Sequence, residues 1–178
     1  MPVAFQPAVD YAILNECGGR IDGGLTRDPT DPGGTTKWGI AARSHPGIDI
    51  PNLSRADACA IYKEEYYDRL PGLQSLNAQR IATKIFDAAV HLGIRGGALC
   101  AQRAFNDMHA AGLPVLLEDG GFGLISAQQI NSVAEADYLL AFVRRQADTY
   151  EKICAKHGGD YQRRYLTGFL NRARKLPS

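Results

Sequence analysis

The first group in this chain that could do chemistry is a carboxyl placed where a helix gives way to glycines: Glu16, followed by Cys17, Gly18 and Gly19. Val9, Ile13 and Glu16 recur at i, i+4 and i+7, so a helix over Pro7–Asn15 would carry this carboxyl at its end, on the apolar stripe. Apolar surroundings penalise the charged form of a carboxyl, which is the condition for a general acid near neutral pH. The alternative is a glutamate that caps or pairs within the loop that follows. That loop runs to Ile40 and holds seven glycines, three aspartates (Asp22, Asp28, Asp31) and the single tryptophan, Trp38. So many turn formers fit tight turns or a small β-hairpin, a fold-back that brings a second group opposite Glu16. Cys17 has no histidine near it in sequence to serve as a base, which argues against a thiol nucleophile.

Other side chains have two readings each. Trp38, Tyr62, Tyr66 and Tyr67 either stack on a ring-shaped ligand or fill the core. Asp87 and His91, one helical turn apart, form either a wall of the cleft or an internal pair bracing their helix. His45, His109 and His157 fall at loop or helix ends and carry no assigned role, and Asp119 reads as a turn former in Asp119–Gly123.

The elements that must position these groups are mostly helical. Ala41–His45 reads as a brief helix, and Ser54 as the N-cap of a helix to about Tyr67. Asn77–Leu92 carries an apolar stripe of Ile81, Ile85, Ala88 and Leu92, and a further helix runs from Gly96 to about His109 until Gly112–Pro114 breaks it. Ser126 reads as the cap of a short helix to Ile130, and two more cover Glu135–Lys156 and Tyr161–Lys175. Five or six helices with one small β excursion near the N-terminus make an α+β, predominantly α protein.

Composition narrows the function classes. At 178 residues, 45% hydrophobic and 22% charged, the chain has the material for a real core, and a net charge of +1 gives no global field for nucleic acid. No apolar run is long enough to span a membrane, and the N-terminal stretch lacks the basic, apolar pattern of a secretory signal. The four cysteines show no paired zinc spacing, and nothing implies a metal or organic cofactor.

Glu16 before Gly18-Gly19, then Asp31-Pro32-Gly33-Gly34-x-Thr36-x-x-Gly39-Ile40, resembles the opening of the N-acetylmuramidases of glycoside hydrolase family 108. Phe86-Asp87-Ala88-Ala89-Val90-His91-Leu92-Gly93 is similar to a helix of that family, with His91 where Asn is usual. Gln102–Ala104 with Asp119–Gly123 resembles its peptidoglycan-binding segment, and Gly168–Arg172 its closing Gly-Trp-x-x-Arg pattern. The resemblance implies a lysozyme-like helical domain that acts on peptidoglycan glycan strands, with Glu16 as acid, Asp31 as second carboxylate and Thr36 orienting a water. Substrate contacts would come from Trp38, Tyr62, Tyr66, Asp87 and His91. The loop after Glu16 is longer than is usual in the family, so Asp22 and Asp28 compete with Asp31. The expected organisation is a catalytic part over residues 1–97 and a helical peptidoglycan-binding-like part over 98–178, packed together as one monomer. It would wait in the host cytoplasm before release to the wall, with no membrane insertion and no nucleic-acid partner. A lytic transglycosylase and a non-catalytic wall-binding module are the competing functions.

Overall fold

A computed structural model describes residues 3–27, 33–109 and 115–178. Seven α-helices are present among them: α1 (Phe5–Glu16), α2 (Arg55–Tyr62), α3 (Gln79–Leu92), α4 (Ile94–Asp107), α5 (Leu124–Ile130), α6 (Glu135–His157) and α7 (Gly159–Arg174). The only sheet among the described residues is an antiparallel pair, β1 (Thr36–Lys37) with β2 (Ile40–Ala41), in register Thr36↔Ala41 and Lys37↔Ile40. The α+β, predominantly α class therefore holds.

The packing is a chain of neighbours: α1 on α3, α3 on α4, α4 on α6 and α6 on α7. Helix α3 is the centre. Residues Ile81 through Ala89 are all buried, so the helix is covered all round rather than along the expected stripe. Its two charged members survive there because α7 meets them. Lys84 donates to the carbonyls of Arg172 (2.9 Å) and Lys175 (2.8 Å), satisfying carbonyls that the end of α7 leaves open. Burial nevertheless pulls the Lys84 ammonium down to about 8, although Asp87 works the other way.

Local chemistry sets several boundaries as expected. Ser54 caps α2, its hydroxyl accepting from the Asp57 amide at 3.1 Å. Gly158, at φ 93°, ends α6. Two expectations fail. Ala41–His45 is not a helix, because Ala41 pairs with Thr36 in the hairpin and the Ala42 amide bonds to Thr35; the residues that follow only turn. Ser126 does not cap α5, which starts two residues earlier after Gly123 and leaves Ser126 buried inside it. The break expected at Gly112–Pro114 lies outside the described residues.

Candidate active site

Helix α1 buries Ala8, Val9, Ala12 and Ile13 against α3 and ends on Glu16. That end is met by the hairpin from one side and by the end of α7 from the other. On the hairpin side, Gly39 takes φ 78°, and a Cβ there would lie 2.4 Å from the Tyr62 hydroxyl and 2.7 Å from Glu16 Cβ. Only glycine lets the β1–β2 turn close this tightly on the acid. Tyr62 is buried and ties the turn down by donating from its hydroxyl to the Trp38 carbonyl at 3.0 Å. Burial holds that phenol far above the ordinary tyrosine range.

Just after α2, residues Lys63–Tyr67 form a wider, π-type turn, an irregularity often found at functional sites. It sends Tyr67 into the core, edge-on to Phe5 and Phe86, while Glu65 and Tyr66 face a small groove. That groove, about 180 Å³, is lined by Glu16, Gly39–Ala41, Ser44, His45, Tyr62, Glu65, Tyr66 and Val90. The Tyr66 phenol is raised by its partial burial, then by the fields of Glu65 and Glu16, with which it lines the groove.

On the α7 side, Glu16 does not meet the apolar surface expected of it. Arg172 Nη1 lies 2.6 Å from Glu16 Oε1, a close charge pair whose angle falls outside hydrogen-bond geometry. The same guanidinium grips Asp87 through Nη2 (2.8 Å) and Nε (3.2 Å). Burial opposes the charge on Arg172, but Asp87 and then Glu16 outweigh it and hold the guanidinium protonated. Asn15 donates to Asp87 at 2.9 Å and accepts from Lys175 at 2.6 Å, so α1, α3 and α7 are joined by one polar chain beneath the acid.

Of the expected site residues, Glu16, Tyr62 and Tyr66 come together in the groove. Thr36 lies in β1, bridged to Thr26, and is not among the groove's lining residues. Trp38 is buried, donates from its indole to the Leu53 carbonyl at 3.1 Å and packs on Gly23, so it braces the loop from within. Asp87 is fully buried and faces Arg172, not the groove. The internal Asp87–His91 pair does not form, because Arg172 and Asn15 occupy Asp87. His91 instead packs edge-on to Phe169 and Tyr150, beside a second depression shared with Gly18, Gly19 and Gly168. Asp31 and Asp28 lie outside the described residues. Asp22 is exposed, held by Arg20 and the Gly24 amide, and the Arg20 guanidinium pulls it down to about 2. Cys17 is buried against the Gly23 carbonyl, and burial followed by Glu16 raises its thiol, the reverse of an activated nucleophile. Missed in sequence were His45, Glu65 and the partnership of Arg172 with Glu16. The last had a signal, since Arg172 closes the Gly168–Arg172 motif.

Among the described residues no group of three or more His, Cys, Asp or Glu could hold a metal ion. The site is thus an acid at a helix end, faced by a glycine-closed hairpin and an aromatic wall. Residues 19–93 match the family model Glycosyl hydrolase 108; Glu16 and Arg172 lie on either side of the match. The fold is that of SagA from Brucella abortus, at 20% identity and a TM-score of 0.60 with 96% of each chain covered. No curated protein matches the chain.

Proposed function

We propose that the chain is an N-acetylmuramidase, hydrolysing the β-1,4 bond between N-acetylmuramic acid and N-acetylglucosamine in peptidoglycan, with Glu16 as general acid. The observation that carries the reading is Glu16 at the end of α1, at the base of a groove closed by Gly39 and walled by Tyr66. In the reaction Glu16 gives its proton to the leaving glycosidic oxygen, the bond to the sugar's anomeric carbon breaks, and a water supplies the new hydroxyl. Arg172, with Nη1 2.6 Å from Glu16 Oε1, fixes where that carboxyl sits at the end of α1. Asp31 as the group facing the water and Thr36 as its orienter rest on the resemblance of the Asp31–Ile40 motif. Residues 1–97 bear the chemistry, while 98–178 supply Arg172 and, through the segment Asp119–Gly123, a contact with the wall. The protein acts as a monomeric, phage-type endolysin, held in the host cytoplasm until release to the wall.

Mass spectrometry of the fragments released from purified sacculi tests this directly. Reducing muramic acid ends are expected. Anhydro-muramic ends would make the protein a lytic transglycosylase, and no release under any buffer condition would leave a binding module.

A further inference from the structure

The groove has a second polar wall that the proposed reaction does not use. His45, from the turn after β2, places Nδ1 3.2 Å from the Ala41 carbonyl and Nε2 3.0 Å from Glu65 Oε1. The ring thus spans from the backbone of the β2 turn to the Glu65 carboxyl, donating from Nδ1 or Nε2 according to its tautomer, and orients that carboxyl. An exposed pair of this kind is usually worth little. This one differs in place: His45 is largely covered, with 13% of its side chain exposed, while Glu65 is 43% exposed and lies in the groove with Glu16. Tyr66, next in sequence, supplies a ring face beside it and lies in the fields of both carboxylates. A fixed acceptor beside an aromatic face suits a sugar, whose ring C–H groups pack on the aromatic while its hydroxyl and amide hydrogens seek acceptors.

We infer that Glu65, oriented by His45, is a substrate-binding residue that takes a hydroxyl or acetamido hydrogen of the sugar seated in this groove. The assignment rests on the proposed muramidase site but concerns binding rather than bond cleavage. Glu65→Gln should raise KM for solubilised glycan strands by at least ~10-fold, the loss of one charge-assisted hydrogen bond, with kcat and the thermal midpoint essentially unchanged. In a Glu16→Gln background, adding Glu65→Gln should raise Kd for a purified N-acetylglucosamine–N-acetylmuramic acid tetrasaccharide by a similar factor. His45→Gln should weaken binding less, and add nothing once Glu65 is gone, because it acts through that carboxyl. An unchanged Kd, or a fall in kcat at constant KM, overturns the assignment. If wild-type protein cleaves nothing yet binds the tetrasaccharide through Glu65, the muramidase reading fails and this one stands; cleavage with no effect of Glu65→Gln is the reverse.

Discussion

Glu16 is the residue on which both the sequence and the structure converge, though for different reasons. Its place at the end of the first helix was legible from the spacing of Val9 and Ile13, and helix α1 does end on it. Its surroundings were not legible, because its partner Arg172 is 156 residues away in the chain, the difference of their positions. In the proposed reaction Glu16→Gln keeps the side chain's size and removes the proton donor, so lysis should fall by ~10²-fold or more while sacculus binding and the thermal midpoint hold. Turbidity loss of a cell-wall suspension measures it, and near-wild-type clearing would remove the assignment. Arg172 holds Glu16 through one nitrogen and Asp87 through two, a division that a lysine cannot copy. Arg172→Lys should therefore lower kcat by about 10- to 100-fold through misplacement of the acid, with KM changed little. A rise in KM alone, with kcat unchanged, would instead make Arg172 a contact for the glycan.

Among the elements, those that sequence periodicity described correctly are the ones whose neighbours do not override it: α1, the Ser54-capped α2, and α6 with its Gly158 stop. The departures come from contacts outside the element itself. Lys84 and Asp87 look like the polar face of α3, yet they are buried because the end of α7 supplies carbonyls and a guanidinium for them. Ala41 to His45 has helix-forming residues, but strand pairing and the turn after it claim them. The hairpin is the element that finishes the site, and Gly39 is its point of contact with Glu16. A methyl group there would stand inside the van der Waals surface of Tyr62 and Glu16 at a positive φ that non-glycine residues resist. Gly39→Ala should cost about 1–3 kcal/mol and push the hairpin away from the acid. Calorimetry should then show a lowered midpoint, and muropeptide release should fall by more than the lost folded fraction explains. Equal losses of both would mean that the turn is structural only.

For the whole molecule, a buried imidazole where α3, α6 and α7 meet makes stability depend on pH in a direction that can be worked out. His91 packs between Phe169 and Tyr150, and its buried Nδ1 finds no partner among the described residues. Burial lowers this imidazole from the ordinary 6.5 to about 4; the Arg172 charge adds to the shift and Asp87 opposes it. Between those two pH values the unfolded chain binds a proton at His91 that the folded chain refuses, so stability falls as pH drops through the window. Above about 6.5 both states hold the ring neutral and His91 adds no slope. The full span is worth roughly 3 kcal/mol at one group. Phenylalanine fills similar space without a proton site, and no hydrogen bond is lost from Nδ1. His91→Phe should therefore match the wild type near pH 7 and exceed it by about 2–3 kcal/mol near pH 4. Urea unfolding of both proteins at the two pH values gives that difference directly, with the carboxylates common to both cancelling. A constant gap between the two proteins across the range would mean that His91 titrates alike in the folded and unfolded chains, and that its aromatic cage is open to water.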